Sequence, residues 1–428
     1  MSSPRDAGAR VSRSGALRLG ALRVRGVLAR GLARLAMRLV PPAPLALVAG
    51  LPDAEENSLV TALALARRFR GRTVLVARDP ELARELIGRT ARQLGQESFA
   101  ERVEVRAKSH PRTPLDLVRA SWVFYTHGLF DSPRPAGRRL HVNLWHGTGP
   151  KWNANANQSV RIGADALAAF GPVWGAEVAR ALAMPSGSRL VTGNPRQDVM
   201  LAADASSRER LAALGLDPAR PVVLWMPTFR RSASAGRVGL REGEPFGEIL
   251  DPVLAVLVSA CAERGVQLVL KTHRHDDDDY AALGVRALST EEVLAAGLSL
   301  YELVGLADAL VSDYSSVWVD FLATGRSVAL RCPDLESYER ERGLNRPGLR
   351  ELASGIFLES EADVLELLED LGQGRTFRAI ALAQLCEALG VGPLDPGGPS
   401  RADVMLEELA ALARERFGST LGISPRED

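Results

Sequence analysis

Residues 302–330, ELVGLADALVSDYSSVWVDFLATGRSVAL, constrain the fold of this chain more than any other stretch. A short apolar run, Ala309-Leu310-Val311, is bounded by Asp308 and by the polar cluster Ser312-Asp313-Tyr314-Ser315-Ser316. Val317, Trp318, Phe321 and Leu322 then recur at helical spacing, Gly325 ends the run, and a second apolar stretch follows at 327–330. Strand, polar turn, helix, strand is one βα step of a parallel sheet. The polar cluster falls where the strand's carboxyl end meets the helix's amino end, the place where open α/β sheets bind ligands. Amides without partners inside the helix, together with two serine hydroxyls, make an anion cradle. The same residues serve equally well as an ordinary Ser/Asp helix cap.

That step recurs along the chain. Strand candidates at 45–49, 73–77, 103–107, 122–125, 140–145 and 189–192 alternate with helical stretches at 57–70, 80–94 and 114–120, which predicts a doubly wound α/β domain. Asp217-Pro218 breaks a helix at 206–214, and the pattern restarts with strands at 222–226 and 266–271 around a helix at 250–264. Helices are expected at 362–372, 376–389 and 401–417. Residues 230–247, rich in Arg, Gly and Ser and without periodicity, read as a long functional loop. The expected division is a leading segment 1–40, a first Rossmann-like domain over 41–200 and a second over 201–428.

Composition narrows the function. A formal net charge of +1 on 428 residues gives no global attraction to nucleic acid. Cys261, Cys332 and Cys386 lie far apart, which argues against a zinc site and against a disulfide framework. No apolar run reaches the length of a membrane span, and none resembles a secretory signal. The leading segment is different: Arg5, Arg10, Arg13, Arg18, Arg23, Arg25, Arg30, Arg34 and Arg38 face the single acid Asp6, with leucines and valines interleaved from Leu17 to Val40. A helix over 15–40 has a basic side and an apolar side, which suits an anionic membrane surface; an arginine-rich disordered tail is the alternative. Pro41-Pro42-Ala43-Pro44 ends any such helix.

Five polar clusters follow apolar strands. In Trp145-His146-Gly147-Thr148-Gly149-Pro150-Lys151 a histidine at a strand end, followed by glycines, is open to solvent and titrates near neutrality. It reads as a base for a hydroxyl proton or as a satisfied structural histidine. Gly193-Asn194-Pro195-Arg196 looks architectural, with proline in the first helical turn. Pro227-Thr228-Phe229-Arg230-Arg231 offers a hydroxyl and guanidinium forks that suit phosphate oxygens. Lys271-Thr272-His273-Arg274-His275 precedes four aspartates, and a cationic group on a diphosphate explains it more economically than a metal does. Gly397-Gly398-Pro399-Ser400-Arg401 opens the last helix, with Ser400 as N-cap or anion site.

Taken jointly and in order, Trp145-His146-Gly147-Thr148, Gly193-Asn194-Pro195-Arg196, Pro227-Thr228-Phe229-Arg230, Lys271-x-His273, Ser312-Asp313-Tyr314-Ser315-Ser316, Asp334-Leu335-Glu336-Ser337-Tyr338 and Gly398-x-Ser400-Arg401 resemble the CDP-glycerol glycerophosphotransferase family of teichoic acid synthesis. The resemblance runs from about residue 120 to 415. It implies a GT-B-like α/β architecture, two Rossmann-like domains facing across a cleft, with the CDP donor on the second. It implies catalytic roles for His146 and His273 and donor binding by Thr228, Arg230, Lys271, Asp313, Ser315, Ser316, Ser400 and Arg401. Gly147, Thr148 and Lys151 fall on the acceptor side. The expected enzyme needs no cofactor and no metal. It moves a polyol phosphate, glycerol phosphate first among them, from a CDP-activated donor to a hydroxyl of a lipid-linked or polymeric acceptor of the cell envelope, releasing CMP. It works in the cytoplasm, peripherally on the inner face of the plasma membrane. A GT-B glycosyltransferase using a nucleotide sugar is the alternative, with a non-catalytic membrane-surface module behind it. The sequence departs from the family pattern at Gly149-Pro150-Lys151-Trp152, where Pro-Leu-Lys is usual, and at Arg274, where proline often follows the second histidine.

Overall fold

Runs of Val, Leu and Ala, buried on both sides, build two parallel sheets. The structure is a computed structural model and describes residues 28–130, 133–152, 162–228, 251–272 and 284–426, with backbone alone at 231–232 and 236–237. The first sheet holds β1 (Ala43–Ala49), β2 (Arg72–Ala77), β3 (Val103–Ala107), β4 (Ala120–Tyr125), β5 (Leu140–Asn143), β6 (Ala166–Ala169) and β7 (Arg189–Thr192) in the order β3-β2-β1-β4-β5-β6-β7. The second holds β8 (Val222–Met226), β9 (Gln267–Lys271), β10 (Arg286–Leu288), β11 (Ala309–Ser312) and β12 (Ser327–Leu330) in the order β10-β9-β8-β11-β12. Every pairing in both is parallel. Strand order reverses beside β1/β4 in the first sheet and beside β8/β11 in the second. Such reversals open a crevice at the strands' carboxyl ends.

The helices that position the site are α1 (Glu56–Arg68), α2 (Pro172–Ala181), α3 (Arg196–Leu201), α4 (Leu300–Leu306), α5 (Val317–Phe321), α6 (Leu335–Arg342) and α7 (Arg401–Phe417). From the first domain, α3 packs against α4 of the second. Nearby, Trp174 of α2 meets Trp318 of α5 edge-on, with ring centroids 5.7 Å apart.

Two features differ from the sequence expectations. Strands β6 and β10 are present although neither was expected; Ala166-Leu167-Ala168-Ala169 has weak strand propensity, and its burial between β5 and β7 overrides this. The division at residue 200 also fails for the last helix. Although expected in the second domain, α7 returns to the first and packs on β7, α1 and α3. Its Asp403 takes ion pairs from Arg67 at 2.6 Å and Arg68 at 3.0 Å, both on α1. The expected loop at 230–247 lies outside the described residues apart from short stretches of backbone.

A leading helix is described over 28–39; the earlier part of the expected helix lies outside the described residues. At about 100° per residue, Leu28, Leu32, Leu35 and Leu39 share one face, and they are 60%, 68%, 52% and 74% exposed. Met37 points the opposite way and is buried. Arg139 ties the helix down by donating to the carbonyls of Met37 at 2.7 Å and of Val40. The leucine ridge is thus turned away from the body of the protein. Among the described residues no helix is long and apolar enough to cross a membrane.

Candidate active site

His146 stands three residues beyond β5, and the backbone that delivers it is bent for the purpose. Trp145 adopts φ +46°, a left-handed conformation uncommon for a bulky side chain. That bend is held by Asn143, which accepts from the Trp145 amide at 2.9 Å, and by Asn57, which donates to the Trp145 carbonyl at 3.4 Å. The His146 ring is exposed to solvent, yet protein closes around it on most sides. That enclosure, with the nearby charges of His127, Arg196 and Lys151, holds its pKa well below the usual histidine value. The imidazole is therefore unprotonated at neutral pH, the form that accepts a proton.

The glycines after His146 allow the two domains to touch. A Cβ on Gly147 would run into the Ser316 hydroxyl, and one on Gly149 would lie 2.7 Å from the Ser316 Cα. The loop therefore rests directly on the Ser315-Ser316 turn of the second domain. Residues 343–345 grip it from the far side: the Asn345 side chain donates to the carbonyls of Gly149 at 2.6 Å and Lys151 at 3.0 Å. Lys151 itself forms a bridge with Leu344. Thr148 is buried in the same loop.

On the second domain, Asp313 ties two strand ends together across the point where strand order reverses. Its carboxylate accepts from the Thr228 amide at 2.8 Å, the Thr228 hydroxyl at 2.7 Å and the Ser315 amide at 3.2 Å. Asp313 and Thr228 thus shape the turn, and the half-buried hydroxyls of Ser315 and Ser316 have no partner among the described residues. Tyr314 is fully buried. It stacks on Tyr338 with centroids 3.7 Å apart and donates to Asp334 at 2.9 Å, so the Asp334-to-Tyr338 motif serves to brace this turn. Lys271 is buried at the end of β9 and donates to the Thr272 carbonyl at 2.6 Å and the Thr290 hydroxyl at 3.2 Å. Burial pushes its pKa down to about 8. His273 and Arg230 lie outside the described residues.

Ser400 and Arg401 are placed elsewhere. Ser400 caps α7, and Arg401 donates to the Pro399 carbonyl. The amides expected to bind an anion there are already filled: Asp198 accepts from the amides of Arg401 and, at 3.0 Å, Ala402. In this structure the pair makes contacts that order the start of α7.

Sequence reasoning missed two things. The Gly193-Asn194-Pro195-Arg196 motif locks onto the helix that follows the two serines. Buried Asp320 of α5 accepts from Asn194 at 2.7 Å, from Tyr301 at 2.6 Å and from Arg196. Arg196 also donates to the His146 carbonyl at 2.8 Å and pairs with Glu55 at 3.4 Å. One buried guanidinium thus joins both domains beneath the candidate base. The second is His127, whose ring lies flat on His146 with centroids 4.2 Å apart and planes 4° from parallel. It too stands just past a strand end and before a glycine, in Thr126-His127-Gly128, the same signal that singles out His146.

Comparisons with known proteins agree with this geometry. The family model for CDP-Glycerol:Poly(glycerophosphate) glycerophosphotransferase matches residues 89–384. A teichoic acid ribitol-phosphate primase of Bacillus spizizenii is 33% identical over 131 residues, which is 29% of this chain and 29% of that protein, so the match spans under a third of the relative's length. The structure of the wall teichoic acid polymerase TagF superposes with a TM-score of 0.60 at 16% identity, covering 95% of this chain and 100% of that one. A TagF variant soaked with CDPG does so with a TM-score of 0.60 at 15% identity, over 95% and 99%. At such identity the likeness is one of fold, and the fold is GT-B-like. With a family match over more than half its length, the chain belongs to the CDP-glycerol:poly(glycerophosphate) glycerophosphotransferase family.

Proposed function

We propose that this protein transfers glycerol phosphate from CDP-glycerol to a hydroxyl of a cell-envelope acceptor. The acceptor oxygen attacks the β-phosphorus, the bond from that phosphorus to the bridging oxygen breaks, and CMP leaves with the bridging oxygen. His146 takes the acceptor proton. Ser315 and Ser316 hold the diphosphate, within a turn shaped by Thr228 and Asp313. Lys271, with Arg230 and His273, belongs to the same cationic surround. Gly147, Thr148 and Lys151 form the acceptor side. Catalysis of phosphoryl transfer is chiefly positioning and charge stabilisation.

The observation that carries this reading is the close approach of the His146 loop to Ser316, possible only with glycine at 147 and 149. It sets a neutral imidazole beside two unpartnered hydroxyls. The test is CMP release from CDP-glycerol at saturating donor, with thermal unfolding alongside. His146→Ala is expected to lose about 10²–10⁴-fold in turnover at unchanged melting temperature. A stable variant with parental turnover removes His146 from the chemistry.

The leading helix supports a second element of the proposal, residence on an anionic membrane surface. Arg34 and Arg38 run along one side of its exposed leucine ridge, the arrangement of a helix lying in a lipid interface.

A further inference from the structure

His127 has no part in the reaction as written above, yet its ring lies flat against the base. Thr126 fixes its ring. The Thr126 hydroxyl accepts from the Leu51 amide at 3.1 Å and lies 3.2 Å from His127 Nδ1. Thr126 is fully buried, and its hydroxyl hydrogen has no other acceptor among the described residues. Thr126 thereby anchors the His127 ring through Nδ1. Trp145 completes the cluster, 4.1 Å from His146 and 5.9 Å from His127 between centroids.

Parallel rings cannot exchange a proton directly, because the N–H bonds and lone pairs of both imidazoles lie in their own planes. Coupling between the two is therefore through packing and charge. Burial lowers the pKa of His146, and charge on His127 lowers it further.

We propose that His127 is a positioning residue for the transfer: its ring, fixed by Thr126, clamps the His146 ring in plane. This rests on the reading of His146 as the base. The other groups that face His146 are Arg196 from α3 and Lys151 from its own loop, both cations. Neither supplies a flat surface against the ring, so neither substitutes for the stack. Removing His127 frees the His146 ring to rotate and admits water to the face it covered. Water favours the charged imidazolium, so the acidic limb of kcat/KM moves to higher pH.

The experiment measures kcat, KM and the pH profile of CMP release for His127→Ala and His127→Phe, with His146→Ala as reference. His127→Ala is expected to lower kcat by about ten- to hundredfold with KM for CDP-glycerol unchanged, and to move the acidic limb upward. His127→Phe keeps a flat ring and is expected to restore kcat to within a few fold. Equal losses in the Ala and Phe variants, or an unmoved acidic limb in His127→Ala, overturn the proposal. If His127→Ala does not fold, His127→Phe against Thr126→Val decides: Thr126→Val frees the His127 ring from its anchor, and parental kcat in it overturns the proposal. Full activity in His146→Ala instead removes the base reading itself, a result the His127 variants cannot mimic.

Discussion

Two histidines of this chain sit five positions apart and have opposite fates. His146 is exposed where the domains meet; His141, within β5, is completely enclosed, and among the described residues neither ring nitrogen makes a hydrogen bond of normal geometry. Burial pushes the His141 pKa down to about 3, opposed by the Pro133 carbonyl. The unfolded chain titrates near 6.5, so between pH 6.5 and 3 it binds a proton that the folded chain refuses. Stability contributed by this residue is therefore complete above pH 6.5 and lost as pH falls towards 3, by about 2 kcal/mol at pH 5. His141→Leu is expected to flatten that loss, read as the difference in melting temperature between parent and variant at pH 7.5 and at pH 5. Glu55, pushed up to about 8 by burial, acts with opposite sign: its stabilisation is lost as pH rises towards 8. It is common to both proteins and cancels in the comparison.

At the scale of elements, the site is two turns pressed together. One follows β5 and the other follows β11, and their separation is set by the absence of side chains at 147 and 149. The two glycines fail differently. At Gly147 the added Cβ meets the Ser316 side chain, which is removable; at Gly149 it meets the Ser316 backbone, which is not. Gly147 also has φ +154°, which strains any replacement. Gly147→Ala and Gly149→Ala are each expected to cut CMP release by at least about tenfold, in line with the cost of a misplacement of about 1 Å. Because Ser316 also holds the donor, the contact is read by thermal unfolding: adding Ser316→Gly is expected to recover part of the melting temperature lost in Gly147→Ala and less of that lost in Gly149→Ala. Equal recovery in both double variants contradicts this account of the contact.

At the scale of the molecule, the domains are joined through polar groups as much as apolar ones. Arg196 reaches Asp320 on one side and Glu55 on the other, with its guanidinium 4.5 Å from the Tyr301 ring centre. Desolvation makes such a pair a poor source of net stability, but removing one partner leaves buried charge uncompensated. Arg196→Met is expected to cost about 3–5 kcal/mol, seen as a lower midpoint in urea unfolding; an unchanged midpoint argues against the clamp. The leading helix makes its prediction at the same scale. Replacing Leu28, Leu32, Leu35 and Leu39 together by serine is expected to weaken binding to anionic vesicles in co-sedimentation by at least tenfold, since each buried leucine contributes about 1.5–3 kcal/mol. Met37 still anchors the helix, so the melting temperature is expected to hold. Undiminished vesicle binding removes the ridge from the membrane contact.

The sequence by itself determined the layered α/β class, because alternating apolar runs and amphipathic stretches have few other ways to bury their faces. It also marked His146 and the Ser315-Ser316 turn, since strand ends followed by Gly, Ser and Asp are local signals. It did not reveal β6, whose alanines become a strand only because β5 and β7 flank them, nor the return of α7 to the first domain, which depends on Arg67 and Arg68 meeting Asp403 more than 300 positions away. Only the tertiary structure decided that Gly147 and Gly149 serve a contact with Ser316, that Arg196 joins the domains, and that His127 stacks on His146. Each of these is a meeting of residues distant in sequence, and local periodicity carries no information about which strand end faces which.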